Sequence, residues 1–264
     1  ISPNGILTFS AKSGERDVLY LYDIKSMKQI DAISFKHLSG ILSPNWSADG
    51  NTITFSGLGM NGYLDIYTYQ PDSTKLIRLT NDFYADTDPV FSPDGKYVAF
   101  SSDRTSGNNE DTANIVLMEI QNGKMYHLTI GNQKDKSPEF SSDGKYLIYS
   151  SDLSGTSNIY LIKDPLDLSV SSSTLKSYQL TNFVGSTFDP CWVDSSRILY
   201  STYENNSFQI RSLENFMDCV KQENEIIQPL QFTNNDWKYQ NIEEKNIKNR
   251  TPYITKYTLD FAQS

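Results

Sequence analysis

The sequence predicts an all-β chain, a β-propeller of four-stranded antiparallel blades with about five blade units visible. Three observations predict it. One sixteen-residue pattern, clearest at Asp88–Asp103 (DPVFSPDGKYVAFSSD), returns at Ser43–Gly57 and Ser137–Asp152, in worn form at Asp189–Thr202 and shortened at Ser2–Ala11. A third-strand pattern follows every copy, and a fourth strand ending in Leu-Thr or Phe-Thr follows most of them. The step from that leucine to the next copy's proline is constant at ten residues, Leu79 to Pro89, Leu128 to Pro138 and Leu180 to Pro190.

Each element has a local reason. In Phe91-Ser92-Pro93-Asp94-Gly95 the proline presets φ, the aspartate bonds nearby backbone and the glycine accepts positive φ, so the segment reads as a hairpin turn. The strand entering it is short and carries Trp46, Phe91 or Phe140 just before the turn. The strand leaving it reads Ile53-Thr54-Phe55, Val98-Ala99-Phe100, Leu147-Ile148-Tyr149 and Ile198-Leu199-Tyr200, with no polar face, and is expected to be covered on both sides. Third strands are expected around Val18–Tyr22, Asp65–Tyr69, Asn114–Met118, Asn158–Ile162 and Gln209–Leu213, and fourth strands ending at Leu79-Thr80, Leu128-Thr129, Leu180-Thr181 and Phe232-Thr233.

What varies is hairpin length. Thr105–Thr112 lengthens one link between second and third strands, and the serine-rich Pro165–Lys176 lengthens one link between third and fourth. A constant step between units with variable loops inside them fits sheets stacked radially, each covering its neighbour. The first unit lacks its innermost strand.

Repeats of the form x-Pro-x-[Phe/Trp]-Ser-x-Asp-Gly-Lys, followed by Asn158-Ile159-Tyr160-Leu161 and Leu-Thr pairs, resemble the WD-like repeats of TolB-type bacterial propellers from residue 1 to residue 233. The resemblance implies a propeller in the bacterial cell envelope, periplasmic or at the outer membrane, that engages proteins or peptides through one face and the channel mouth. Residues 234–264 then read as a polar linker followed by the alternating segment Thr251–Ser264, a candidate strand to pair with the first blade and close the ring. That tail also resembles, more weakly, the joint before an outer-membrane barrel in some bacterial surface proteins. Because Ile1 opens inside a repeat, the chain reads as a piece of a longer protein.

Composition narrows the function classes. A net charge of −9 opposes binding to phosphate backbones, so no nucleic-acid partner is expected. No apolar run approaches the ~20 residues of a spanning helix, and no membrane insertion by this segment is expected. Two cysteines, Cys191 and Cys219, make neither a disulfide framework nor a metal-ligand spacing and read as small apolar residues.

Catalytic and cofactor signals are weak. Gly57-x-Gly59-x-x-Gly62 matches the dinucleotide pattern, but a strand follows where a helix is needed, so it reads as a hairpin loop. Gly155-Thr156-Ser157-Asn158-Ile159 lacks the second glycine of a hydrolase elbow. Of the two histidines, His127 reads as an outer-strand edge residue, and His37 lies in a link between blades with no placed partner. Asp103, Asn108, Asn109, Glu110 and Asp111 make an oxygen-rich loop that matches no EF-hand and reads as solvated. No catalytic residue, cofactor or metal is expected.

The links between blades gather at one end of a propeller, around its channel. Here they carry His37, Tyr84, Asp86, Asp88, Lys134, Lys136, Phe188 and Asp189, a mixture of aromatics and both charges that suits a protein or peptide contact. Tyr84 and Phe188 read equally well as filler between blades. The expected function is a non-catalytic protein-binding scaffold. Two alternatives stand beside it: a propeller that gates a serine peptidase, and one that binds a glycan.

Overall fold

A computed structural model describes residues 1–104, 112–168, 174–221, 225–229 and 231–233. These form five antiparallel sheets arranged as propeller blades, and the only helical turn among them is a 3₁₀ turn at Phe216–Cys219. Blade one has three strands among the described residues, β1 (Ile6–Ser13), β2 (Arg16–Asp23) and β3 (Lys28–Ile33), with β1 at the inner edge. Blade two has β4 (Leu38–Trp46), β5 (Ile53–Gly59), β6 (Leu64–Gln70) and β7 (Lys75–Arg78). Blades three and four each run through four successive strands from the channel outward: β8 (Asp86–Phe91), β9 (Tyr97–Ser102), β10 (Asn114–Glu119), β11 (Met125–His127), then β12 (Asp135–Phe140), β13 (Tyr146–Ser151), β14 (Asn158–Lys163), β15 (Thr174–Gln179). Blade five has β16 (Thr187–Trp192), β17 (Arg197–Glu204) and β18 (Ser207–Glu214).

The repeated turn is held by its own side chains. Ser92 Oγ donates to Asp94 at 2.6 Å and accepts from the Tyr97 amide at 3.0 Å, while the Gly95 amide closes onto Ser92 O at 2.9 Å. The same set recurs at Ser47, Asp49 and Thr52, and at Ser141, Asp143 and Tyr146. Hydrogen bonds from Ser47 and Ser141, joined by those from backbone amides, hold the Asp49 and Asp143 carboxyls below their usual range.

The Leu-Thr pair has an equally local cause. The leucine amides of Leu79, Leu128 and Leu180 bond the carbonyls of Ile66, Ile115 and Ile159 at 2.8–2.9 Å. The neighbouring threonine hydroxyls of Thr80, Thr129 and Thr181 accept from the amides of the same isoleucines. The pair therefore fastens the end of each fourth strand to the start of the third.

Alternate residues of each second and third strand face opposite neighbours. Ala99, Ile115 and Leu117 pack with Leu147, Tyr149 and Tyr160 between blades three and four. Val98, Phe100 and Val116 pack with Ile66 and Phe91 between blades two and three. Val98, Ala99 and Phe100 are fully buried, as two-sided cover requires. Leu19, Leu21, Ile53 and Phe55 join blades one and two, and Ile148, Ile159, Ile198 and Tyr200 join blades four and five.

Three expectations are corrected. Phe232-Thr233 is not the fourth strand of blade five: β20 (Gln231–Thr233) pairs with β11 as a fifth strand of blade three, and β19 (Glu225–Pro229) pairs with β15 as a fifth strand of blade four. The diversion begins at Phe216, 1% exposed, whose ring packs edge-on against Tyr146 and Trp192 and turns the chain back toward blade four. His127 is consequently no edge residue, because β20 covers β11, and it is buried; that burial, with Arg104 nearby, lowers its pKa. Gly57 is strand and not loop: it lies in β5, where a Cβ would stand 2.7 Å from the Tyr67 ring, and the hairpin turn is confined to Gly59–Gly62. Asn108, Asn109, Glu110, Asp111 and residues 234–264 lie outside the described residues.

Candidate binding site at the channel mouth

The innermost strands β4, β8, β12 and β16 each contain a proline at the same place, Pro44, Pro89, Pro138 and Pro190. Proline cannot donate to the ladder, and pairing in all four strands slips there: between Leu42 and Asn45, Thr87 and Val90, Lys136 and Glu139, Phe188 and Cys191. The residue before each proline turns into the left-handed region, Ser43 at φ 48°, Asp88 at 53°, Ser137 at 51° and Asp189 at 51°. Four bulges thus aim four short polar side chains from neighbouring blades into one space.

Those side chains bond one another across the blades. Ser43 Oγ donates to Asp88 Oδ1 at 2.6 Å, the Ser137 amide to Asp88 Oδ2 at 3.4 Å, and Ser137 Oγ to Asp189 Oδ1 at 2.9 Å. The chain Ser43–Asp88–Ser137–Asp189 links blades two to five. It lines a cavity of about 300 Å³ together with the four prolines, Asn45, Glu139 and Cys191. Glu139 is half-buried there and accepts from the Trp192 amide; burial pushes its carboxyl up to about 7. Burial and Glu139 together raise the Cys191 thiol.

A second cavity of about 230 Å³ opens between blades four and five and is lined by Lys134, Lys136, Ser137, Asp152, Phe188 and Asp189, among others. The Lys134 amide donates to Asp152 Oδ1 at 2.7 Å, which fixes the link ahead of β12 to the loop after β13. Lys136 is exposed. Phe188 is half-buried, its ring edge-on to Phe208 at 5.9 Å.

Asp88, Lys134, Lys136, Phe188 and Asp189 of the expected face therefore meet around these two cavities. The other three lie elsewhere. Asp86 is fully buried and holds Arg104, which also reaches Asp82 at 3.1 Å and Ser102 at 2.8 Å. Burial pushes the Asp86 carboxyl up to about 6, against the pull of Arg104 and Ser102. Tyr84 is half-buried with its ring 5.1 Å from the Arg104 guanidinium, and His37 is exposed and lines neither cavity. Ser43, Ser137 and Glu139 are the members that reading for charged and aromatic links passed over. Their signal was positional: each stands immediately beside the recurrent inner-strand proline.

Comparison with known proteins bears on the fold most strongly. Residues 1–109 match the family model described as a TolB beta propeller domain. A Tol-Pal system protein TolB from Francisella tularensis is 35% identical over 80 residues, covering 30% of this chain and 18% of that protein. A TolB homologue from Chlorobium luteolum is 33% identical over 106 residues, 39% of this chain and 23% of the relative. Among solved structures, TolB from Acinetobacter baumannii superposes with a TM-score of 0.60 at 23% identity, over 80% of this chain and 49% of that one. The fold is a TolB-type β-propeller. The matched regions span about a fifth of the length of these curated relatives. The tricorn protease superposes as well, at TM-score 0.53 and 14% identity over 85% of this chain and 30% of that one, a likeness of fold alone.

Proposed function

We propose that this propeller is a non-catalytic scaffold that binds a protein or peptide partner at its channel mouth, in the periplasm or cell envelope of a bacterium. The observation that supports it is the channel mouth itself. Prolines force bulges, the bulges present Asp88 and Asp189, and Lys136 and Phe188 stand beside them over two cavities of about 300 and 230 Å³. Carboxylate, ammonium and aromatic groups held on rigid strands offer an extended partner both charge complementarity and an apolar anchor. Among the described residues no group of three or more His, Cys, Asp or Glu is placed to hold a metal, and nothing in the reading calls for one. The envelope setting rests on the likeness to Tol-Pal system proteins.

The test is a photoreactive amino acid placed at Lys136, with the same group at Lys75 on the outer strand of blade two as the control. In cells of the source bacterium, position 136 is expected to yield a discrete protein adduct that position 75 does not. Equal labelling at both positions, or none at 136, contradicts the proposal. A Gly-x-Ser-x-Gly segment with later aspartate and histidine in the flanking reading frame would contradict the non-catalytic part.

A further inference from the structure

Blades three and four open their inner strands on the same residue type, Asp86 in β8 and Asp135 in β12, and both side chains are fully buried. Their partners differ. In blade three, Arg104, two residues past the end of β9, reaches Asp86 Oδ2, and Ser102 Oγ donates to Asp86 Oδ1 at 2.6 Å. The matching place past the end of β13 is Leu153, 42% exposed, which brings no charge.

Asp135 is met by neutral groups instead. Asn114 Nδ2 and Gln133 Nε2 donate to its Oδ2 at 3.2 and 3.0 Å, while Oδ1 is buried with no hydrogen-bond partner. The hydroxyls of Ser151 and Thr129 stand beside the carboxyl. The strands packed against β12 carry Asp86 and Asp88 on β8, Glu119 on β10, Tyr146 and Tyr149 on β13 and Asp189 on β16, and neither those strands nor β9 carry a lysine, arginine or histidine. Lys134 and Lys136 flank Asp135 in sequence and, pointing the other way along the chain, line the cavity between blades four and five. Among the described residues Asp135 makes no ion pair. A carboxylate in this place is an uncompensated buried charge. A proton on Oδ1 removes both faults, because the charge goes and the O–H can donate to a neighbouring hydroxyl.

We infer that Asp135 is held as a neutral carboxylic acid and works as a proton-dependent latch: with its proton it ties blade four to blade three beneath the channel mouth, and without it the head of β12, which presents Lys134 and Lys136, comes loose. The tie has three parts. The Asp135 amide donates to Ala113 O at 2.8 Å, Ser101 Oγ of β9 donates to Asp135 O at 2.5 Å, and the side chain accepts from Asn114 at the head of β10. Burial raises the Asp135 pKa, against hydrogen bonds from Ser151, Thr129, Gln133 and Asn114 that lower it. The folded value therefore stands above the unfolded one, so the contribution of this group to stability is greatest in acid and is lost as pH rises through the folded value.

The experiment follows the side-chain carboxyl carbon of Asp135 by NMR in the full chain, assigned through its own backbone, from about pH 4 to about pH 9. Its signal is expected to keep the protonated position after the exposed Asp72 has finished titrating, and to move only at higher pH. In Leu153→Arg, which sets a guanidinium where blade three has Arg104, the same signal is expected to move at least about one pH unit lower, a tenfold loss of proton affinity. Amide exchange is the second readout. After correction for the intrinsic rate, a peptide spanning Asp135–Phe140 is expected to exchange at least tenfold faster above the Asp135 transition than below it, and at one rate throughout in Asp135→Asn, while β5 keeps its protection in both proteins. A carboxyl that titrates together with Asp72 overturns the neutral acid, and that result needs no variant to fold. An unchanged midpoint in folded Leu153→Arg overturns the missing counter-charge as its cause, and exchange in β12 that ignores the transition overturns the latch.

Discussion

At Gly95 the backbone sits at φ +70° with open space where a Cβ would lie, so a side chain there meets a conformational cost and no steric one. Replacing it by valine is expected to cost more than ~1 kcal/mol in denaturant unfolding, because a β-branched residue resists the left-handed region. Unchanged stability would contradict the role given to this turn. Glu139 makes a second residue-scale prediction. Its folded pKa of about 7 lies above the unfolded value of 4.5, so the folded state holds the proton longer. The contribution of Glu139 to stability is then greatest below pH 4.5, falls as pH rises toward 7, and levels off above it. Glu139→Gln, which cannot ionise, is expected to match the parent near pH 4 and to exceed it at pH 8 by up to about 3 kcal/mol. Parallel pH profiles for the two proteins would contradict the buried, ionisable placement of this group. The Ser-x-Asp-Gly turns were legible from sequence because their hydrogen bonds are local, within five residues. The chain of bonds from Ser43 to Asp189 was not, since its members stand 45 to 52 residues apart and only the propeller brings them together.

Between elements, Arg104 ties the end of β9 to β8 and to the link that leaves blade two, through Asp86 and Asp82. All three side chains are less than a tenth exposed, so loss of the guanidinium strands two carboxylates in a poorly solvated place. Arg104→Met is expected to cost about 3–5 kcal/mol, and adding Asp86→Asn is expected to restore part of it. Phe216 works at the same scale. Its ring fills the seam between blades four and five, and truncation to alanine is expected to cost about 3–5 kcal/mol. Because Phe216 also steers the chain, the same variant is expected to lose hydrogen-exchange protection at Glu225–Pro229 first, and retained protection there would contradict the steering role. Reading the Phe-Thr pair as a fourth strand failed for this reason. The local motif was present at Phe232-Thr233, but a single buried aromatic sixteen residues earlier sent the chain to other blades.

For the whole molecule, repetition made the architecture readable. A constant ten-residue step between blades and two-sided apolar second strands leave radial stacking as the arrangement that covers every face, and blades two to four meet it. The site is harder to read, because inter-blade links serve two purposes. Asp86 and Tyr84 share the composition of Asp189 and Phe188, yet the first two surround a buried arginine while the second two line a cavity. Composition alone does not distinguish them; depth in the folded blade does. The measurement that tests the account most directly is the affinity of the cross-linked partner, by titration calorimetry, for Lys136→Glu combined with Phe188→Ala, beside Lys75→Glu as the control. Binding at least tenfold weaker in the channel-mouth variant, with the control unchanged and both melting temperatures near the parent's, is the predicted result. Equal affinity in all three proteins would contradict the claim that this propeller works through its channel mouth.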